Sequence, residues 1–361
     1  MNLLWITGRR LNSDLASRTE LSLAKSLTEL GINITILSPS RGEIKKIKKI
    51  EFVSLKEIRI KGLRTISGGL SIKSILKQIN DTFDYALVDW RMVQFSHKIL
   101  KIKNIPWSLI DRGPPTFNGL LPFIQRIQWK NSWNKANNNT DVAFVVSDLH
   151  ADYVTKRTKF DKKMISLPAG VDKKWITKVE RRFSRNINFC YLGSLDANRG
   201  VKEITKLAEN LAMEYGGGKV IVMGDGDCRE YFLNVSSRYA NLEYHGNITD
   251  KRELQNILEE CHVGIMPMPD IEIWNIASSI KLPEYLSKGM LIVGVNHPGN
   301  YYGNEECFQL SDKDWAEDSV RKIIEIEERG HWGKISKIST ETAKKMTWEQ
   351  TAKKIIDEIV R

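Results

Sequence analysis

The chain has 361 residues, of which 41% are hydrophobic and 27% are charged. This length predicts about two domains, and the composition excludes a disordered chain. No stretch reaches the ~18 apolar residues of a membrane span, and the N-terminus lacks the features of a signal peptide, so we expect a cytoplasmic protein. The four cysteines have no paired spacing, which fits a reducing compartment and disfavours a structural zinc site.

The net charge of +11 is unevenly distributed along the chain. Residues 1–180 contain 31 basic and 16 acidic residues, hence +15, and residues 181–361 contain 24 and 28, hence −4. The basic half is expected to meet an anionic partner, such as phospholipid head groups, a phosphorylated acceptor or nucleic acid. Nucleic acid is disfavoured because no helix-turn-helix, zinc or aromatic RNA-binding motif accompanies the charge. A solvated basic surface is the alternative.

In chain order, short β-branched runs alternate with amphipathic stretches, which is typical of βαβ units in a parallel sheet. In the first half, strands are predicted at 3–6, 32–37, 85–88, 107–110, 142–146 and 164–167, with helices that include 15–30 and 120–135. A polar connector extends to residue 185. The second half has predicted strands at 187–192, 219–223, 242–245, 263–266 and 291–295, and helices near 201–215, 228–239, 251–260, 281–288 and 339–360.

This pattern predicts an α/β protein with two Rossmann-like domains. The expected domains are residues 1–170, residues 171–340, and a C-terminal helix within 341–361. Because ligands of such sheets bind at the carboxyl ends of the strands, the active site is predicted in a central cleft between the two domains.

Two glycine-containing loops follow the first two predicted strands of the second domain. The first strand breaks at Gly193 and leads to Arg199, whose guanidinium could hold a diphosphate by bidentate hydrogen bonds. An ordinary loop with an exposed arginine is the alternative. The next strand ends in Gly224-Asp225-Gly226, where missing side chains let the backbone approach a ligand. The third glycine of a dinucleotide fingerprint is missing, so NAD binding is disfavoured.

The segment from Trp274 to Gly289 is the most informative. Ser278 and Ser279 precede a helix, where backbone N–H groups could bind an anion. Lys281 begins that helix, and Glu284 could accept hydrogen bonds from a ribose diol. A capped surface helix with solvated Lys281 and Glu284 is the alternative.

Two features of the first half have alternative interpretations. Asp111 ends a predicted strand and is a candidate catalytic residue, or else a helix or turn cap that Arg112 neutralises. The predicted helix at 120–133 combines aromatic and basic residues, so it could dock on a membrane surface or bind a lipid acceptor. A core-facing helix explains the same pattern and is the favoured interpretation.

The second half resembles the retaining glycosyltransferases of family 4, the group-1 family of the GT-B fold. The stretch 193–200 is similar to the family's Gly-Arg-Leu-x-x-x-Lys-Gly motif, and Gly224 to Gly226 resemble its Gly-x-Gly turn. Residues 244–248 resemble the loop that contacts the nucleotide base, and 276–284 resemble the Glu-x7-Glu segment. In the first half the resemblance is limited to residues 141–147 and 167–172.

The resemblance implies a metal-independent, retaining transfer of a sugar from a UDP- or GDP-linked donor, without any cofactor. The acceptor would be a glycan, a glycolipid or a polyprenyl-linked sugar, and the enzyme could lie peripherally on a membrane. The implied catalytic residues are Asp111, Arg199 and Lys281. The implied donor-binding residues are Gly193, Arg199, Gly224, Asn247, Ile248, Ser278, Ser279, Ile280, Lys281 and Glu284, and the acceptor-binding residues are Arg9, Arg10 and Arg112.

The sequence departs from the family at three places. Ser194 replaces an arginine, Ile276 replaces the first glutamate of Glu-x7-Glu, and the loop at 7–12 lacks the common double glycine. These departures leave a second interpretation open, in which the chain is a nucleotide-sugar-binding protein with weak or no transferase activity.

Overall fold

The structure, a computed structural model, describes residues 1–11, 17–39, 47–56, 58, 64–79, 81–115, 119–177, 186–302, 305–312 and 314–360. The chain divides into two compact units. The first comprises Met1–Ala169 and Trp348–Arg361, and the second comprises Gly170–Thr347. This division, between residues 169 and 170, is one residue before the border that we expected from the sequence.

The first unit contains a parallel sheet of seven strands in the order β3-β2-β1-β4-β5-β6-β7. The strands are β1 (Asn2–Ile6), β2 (Asn33–Ser38), β3 (Ile50–Ser54), β4 (Tyr85–Asp89), β5 (Trp107–Ile110), β6 (Val142–Val145) and β7 (Lys163–Ser166). The helices are α1 (Ser17–Glu29), α2 (Arg64–Gln78), α3 (Val93–Ile102), α4 (Leu120–Asn137) and α5 (Asp148–Arg157).

Right-handed crossovers explain the layers of this unit. They place α1 on one face of the sheet and the row α2 to α5 on the other. Both faces are therefore covered, which is why the central strands are continuous apolar runs. In β1, for example, Leu3, Leu4 and Ile6 are fully buried.

The second unit contains a parallel sheet of six strands in the order β10-β9-β8-β11-β12-β13. The strands are β8 (Asn188–Leu192), β9 (Lys219–Met223), β10 (Leu242–Gly246), β11 (Val263–Met266), β12 (Leu291–Val295) and β13 (Phe308–Ser311). The helices are α6 (Ile204–Asn210), α7 (Arg229–Ser236), α8 (Lys251–Glu260), α9 (Glu272–Asn275), α10 (Lys281–Ser287), α11 (Trp315–Glu328) and α12 (Trp332–Lys344). This strand order has a topological switch point between β8 and β11, where α/β proteins bind ligands.

The C-terminal segment corrects the sequence analysis. The single helix predicted over 339–360 is two helices, α12 and α13 (Trp348–Ile359), so the last helix begins at Trp348 rather than near residue 341. Thr347 forms a β-bridge with Val171, and this pairing interrupts the helix. Both helices have an apolar buried face, so the apolar periodicity continues across the break. Helix α12 is part of the second unit, and α13 packs on α1 in the first.

The structure contains elements that the sequence analysis did not delimit. These are strands β3 and β13 and helices α2, α3, α5, α9 and α11, whose apolar runs are short or interrupted by polar residues. The helix predicted over 201–215 begins as a 3-10 turn, becomes α6 and ends as a π-helical turn at Leu211–Tyr215. Most of the predicted polar connector, residues 178–185, lies outside the described residues.

Candidate functional site

Lys281 lies at the switch point of the second sheet. Its Nζ is 3.2 Å from the hydroxyl of Tyr191, near the end of β8, and 3.6 Å from the sulfur of Met268, just after β11. The ammonium group also lies 4.4 Å from the centre of the Tyr191 ring, within the range of a cation–π interaction. Helix α10 thus places a cation at the point where the strand connections diverge.

The Lys281 side chain is only 5% exposed. Burial lowers its pKa well below the usual value, the positive charge of Arg199 lowers it further, and Glu284 partly opposes this effect. Among the described residues, the polar contacts of Nζ are the Tyr191 hydroxyl and the Met268 thioether, and neither is an anion. A buried ammonium without an anionic hydrogen-bond partner is costly to maintain, and a bound anion would relieve that cost.

Glycines lie at the ends of three neighbouring strands, and the first of them, Gly193, lies beside this lysine. Gly193, Gly224 and Gly246 have φ angles of 146°, 147° and 66°, which favour glycine. A Cβ atom on Gly224 would lie 1.7 Å from the carbonyl oxygen of Gly193, and one on Gly193 would lie 3.2 Å from Cε of Lys281. The backbone itself therefore forms the wall beside the cation.

Arg199 ends a 3-10 turn in the loop that follows Gly193. Its Nε lies 3.4 Å from Oδ2 of Asp196, and its guanidinium lies 4.8 Å from the centre of the Trp274 ring. Ser194, which replaces an arginine of the family motif, donates a 2.7 Å hydrogen bond to the same Asp196 oxygen. Ser194 therefore contacts the carboxylate that orients Arg199.

The other predicted donor residues occupy two loops and one helix. Asn247 is exposed and Ile248 packs against the core of the unit, directly after Gly246, whose carbonyl accepts a 2.7 Å hydrogen bond from the Gly224 amide. The partly buried segment between α9 and α10 contains Ser278, Ser279 and Ile280. Glu284 is 5% exposed, so the alternative of a solvated Lys281 and Glu284 is wrong.

Tyr191, Met268 and Trp274 contact the predicted cations but were not assigned a role from the sequence. Tyr191 could have been suspected, because it is a polar aromatic residue in the strand that ends at the predicted phosphate loop. Met268 and Trp274 give no such signal, since their contacts with Lys281 and Arg199 depend on how separate loops fold together.

The predicted acceptor residues Arg9 and Arg112 lie near one another in the first unit. Nε of Arg9 is 3.3 Å from Oε1 of the buried Glu20. Burial raises the pKa of Glu20 to about 7 although Arg9 opposes it, and burial lowers the pKa of Arg112 to about 10. Arg112 donates a 2.7 Å hydrogen bond to the carbonyl of Leu167, and Arg10 is partly buried.

Asp111 is fully buried and its carboxylate is surrounded by donors. Oδ2 accepts hydrogen bonds from the indoles of Trp129 and Trp133 at 2.6 and 3.1 Å, and Oδ1 accepts one from the amide of Gly113 at 2.9 Å. Burial raises the pKa of Asp111, but His150 and these hydrogen bonds outweigh that effect, so its pKa lies below the usual value. The geometry favours the turn-cap interpretation, with His150 rather than Arg112 as the close basic group.

Within the described parts of the chain, no group of three or more His, Cys, Asp or Glu side chains could hold a metal ion. No described helix is both long enough and apolar enough to cross a bilayer.

The architecture is similar to that of several solved glycosyltransferases. Sucrose-phosphate synthase from Thermosynechococcus elongatus has a TM-score of 0.78 and 14% identity, with 99% of this chain and 97% of that one covered. WaaG, a glycosyltransferase involved in lipopolysaccharide biosynthesis, has a TM-score of 0.73 and 10% identity, with 99% of both chains covered. The fold is GT-B. At these identities the likeness concerns the fold alone.

The similarity includes a structure with a bound nucleotide sugar. Anabaena HepE in complex with UDP-glucose has a TM-score of 0.71 and 12% identity, with 100% of this chain and 99% of that one covered. No protein-family model matches the chain, and no curated protein matches it significantly in sequence. The comparisons confirm the predicted fold class, while the specific family stays a prediction.

Replacing Asp111 with asparagine should destabilise the first unit. The asparagine side chain can accept hydrogen bonds only through its oxygen. Either the two indoles or the backbone amide of Gly113 would therefore lose an acceptor. We expect a loss of about 1.5–3 kcal/mol in the free energy of unfolding at neutral pH, measured by urea denaturation. The exposed Asp152→Asn serves as the control.

The pH dependence gives a second check on Asp111. Because its pKa is lowered in the folded protein, its stabilising contribution is present above the unfolded pKa and lost as the pH falls through the folded pKa. The difference between wild type and Asp111→Asn should therefore shrink in acid. Equal stability of the two proteins at neutral pH would contradict the structural role.

Replacing Lys281 with methionine should stabilise the protein in the absence of ligand. Methionine has a similar length, and it removes a buried cation that has no anionic hydrogen-bond partner among the described residues. We expect the free energy of unfolding to rise by about 1–2 kcal/mol at neutral pH. The exposed Lys251→Met is the control, and a destabilised Lys281→Met would show that the ammonium group supports the fold.

Proposed function

We propose that this protein is a glycosyltransferase that binds a nucleotide-diphosphate sugar in the unit Gly170–Thr347 and transfers its sugar to an acceptor hydroxyl. The observation that carries the proposal is the Lys281 ammonium, buried beside Gly193 at the switch point of the sheet. The GT-B fold supports it, because enzymes with this fold include WaaG and sucrose-phosphate synthase. The HepE complex with UDP-glucose supports a nucleotide sugar as the donor.

The proposed anion is the diphosphate of the donor. Arg199 provides a planar guanidinium that can bind two phosphate oxygens, and Lys281 provides a compact ammonium on the inner side. Burial and the positive charge of Arg199 both lower the pKa of the Lys281 ammonium. A diphosphate between the two cations would oppose both effects. Gly193 has no side chain to cover the Lys281 stem, since a Cβ atom there would lie 3.2 Å from Cε of Lys281.

Transfer would follow from stabilisation of the leaving group. Negative charge develops on the diphosphate as the sugar departs, so fixed cations lower the barrier if they are placed before the reaction begins. Lys281 and Arg199 would take this role, without a metal ion. We propose retention of configuration, with the acceptor hydroxyl attacking from the face that the diphosphate leaves.

The remaining donor contacts follow the family resemblance. Glu284 would accept hydrogen bonds from the ribose, and the amides of Ser278, Ser279 and Ile280 would bind phosphate oxygens. The backbone near Asn247 and Ile248 would contact the base, which we expect to be uracil or guanine. The loop after β10 adjoins Gly224 through the Gly246 carbonyl, which supports this part of the assignment.

We propose that the acceptor binds the first unit near Arg9, Arg10 and Arg112. The pairing of Arg9 with Glu20 provides both a cation and a carboxylate for a sugar acceptor or a phosphorylated, lipid-linked one. In this scheme Asp111 holds the β5 and α4 segments together and does not contact the transferred sugar.

A specific observation keeps a second function open. Ile276, at the position of the family's first glutamate, is apolar and 5% exposed, so no carboxylate lies there to contact the transferred sugar. A nucleotide-sugar-binding protein without transferase activity would have the same diphosphate site. Binding of a donor without hydrolysis or transfer to any acceptor, in the presence of a chelator, would favour this second function.

Arg199→Ala should weaken the binding of a nucleoside diphosphate. Loss of charge-assisted hydrogen bonds to phosphate should cost on the order of 1.5–3 kcal/mol in binding free energy. The measurement is a titration of UDP and of GDP, each followed by the shift in melting temperature that a bound ligand produces.

The control for Arg199→Ala is Arg321→Ala, an exposed arginine on α11 in the same unit. It should bind both nucleotides like wild type. If Arg199→Ala also binds like wild type, the diphosphate does not lie where we propose. Wild type that binds neither UDP nor GDP would contradict the proposed donor class.

A further inference from the structure

The outward face of α4 is apolar at its N-terminal end. Five apolar side chains in its first eight residues are exposed: Leu120 (78%), Leu121 (37%), Phe123 (54%), Ile124 (52%) and Ile127 (47%). The opposite face of the same helix is buried further along, through Trp129, Ser132, Trp133 and Ala136. The core therefore accounts for the apolar residues of the second half only, and the favoured core-facing interpretation is wrong for the first half.

A second apolar stretch lies on α2. Ile66 and Leu70, one turn apart near the start of that helix, are 49% and 57% exposed. Helix α3 contacts both α2 and α4, and the three helices cover the same face of the first sheet. Because the sheet is parallel, all three helices begin at the edge where its strands end. The two apolar stretches thus lie toward one edge of one layer.

The charge of this layer has a single sign. The sequences of α2, α3 and α4 contain no aspartate or glutamate. Apart from the first residue of α2, the basic residues of the three helices are Lys73, Lys77, Lys98, Lys101, Arg126, Lys130 and Lys135. Much of the +15 charge of residues 1–180 therefore has a defined location, next to exposed apolar side chains.

We propose that the layer α2–α3–α4 docks on the surface of an anionic phospholipid bilayer, with the start of α4 inserted among the head groups. Exposed apolar patches of this kind mark interaction surfaces, and lysines beside them are attracted to anionic lipids. This inference goes beyond the proposed function and does not depend on it.

Charge complementarity favours a bilayer over other occupants. A second copy of this chain would bring the same basic layer against itself, with no acidic residue in these three helices to pair with the lysines. A bilayer offers many anionic groups over a wide area and an apolar interior, so it matches both features at once.

Vesicle flotation tests the docking directly. At low salt, the full chain should bind vesicles of phosphatidylcholine that contain about one third phosphatidylglycerol. It should bind vesicles of phosphatidylcholine alone much less strongly. Binding should be lost at about 1 M salt, where the Debye length is about 3 Å.

Surface variants locate the contact. Phe123→Gln together with Ile127→Gln should weaken vesicle binding by at least about tenfold. Lys98→Gln and Lys130→Gln should each weaken it by about fivefold. The matched controls lie in the second unit: Met213→Gln and Leu233→Gln remove exposed apolar groups, and Lys251→Gln removes an exposed lysine. The controls should bind vesicles like wild type.

A fluorescent probe tests insertion. The four native cysteines are all buried, so Ile124→Cys can be labelled selectively with an environment-sensitive dye. Its emission should shift to the blue when anionic vesicles are added. The same dye on Met213→Cys, in the second unit, should show no shift.

Three outcomes would overturn the proposal. The first is no binding of wild type to anionic vesicles at low salt. The second is an equal loss of binding in the control variants, which would indicate non-specific attraction by net charge. The third is a wild-type dimer in sedimentation that the Phe123 and Ile127 substitutions convert to monomer, because a second copy would then cover the apolar face.

Discussion

The ammonium group of Lys281 contacts Tyr191 and Met268 at the switch point of the second sheet, away from water. A side chain of this kind is rarely buried unless an anion accompanies it. The fold nevertheless holds it there with an aromatic ring and a thioether, which lower the cost of burial without neutralising the charge. This arrangement is unfavourable for stability, and the proposed diphosphate would offset that cost on binding.

The surrounding backbone is adapted to the same requirement. Gly193 leaves space beside the lysine stem, and Gly224 in turn leaves space for the carbonyl of Gly193. Arg199 is held outside this wall by Asp196 and Trp274, so the second cation is positioned before any ligand binds. Positioning both cations in advance reduces the reorganisation needed when charge develops on a leaving group.

The fold class could be predicted from the sequence, and so could the glycine turns after β8 and β9, because both depend on local patterns. The burial of Lys281 and Asp111 could not be predicted, since it depends on how distant segments pack. The indoles that bind Asp111 are 18 and 22 residues away on α4. Similarly, the mixture of aromatic and basic residues in the predicted helix at 120–133 could not show which of its apolar side chains the core covers.

The central claim, that Lys281 is the buried partner of a diphosphate, has a direct calorimetric test. Burial and Arg199 lower the lysine pKa in the free protein, and a bound diphosphate should raise it. At a pH between these two values, binding of the nucleoside diphosphate identified by titration should take up protons, and affinity should fall as the pH rises. Titrations in buffers of different ionisation enthalpy measure this uptake, with Lys281→Met as the reference for protons bound by the nucleotide. The account predicts proton uptake in wild type beyond that of the variant, and equal uptake and equal affinity in the two proteins at every pH would contradict it.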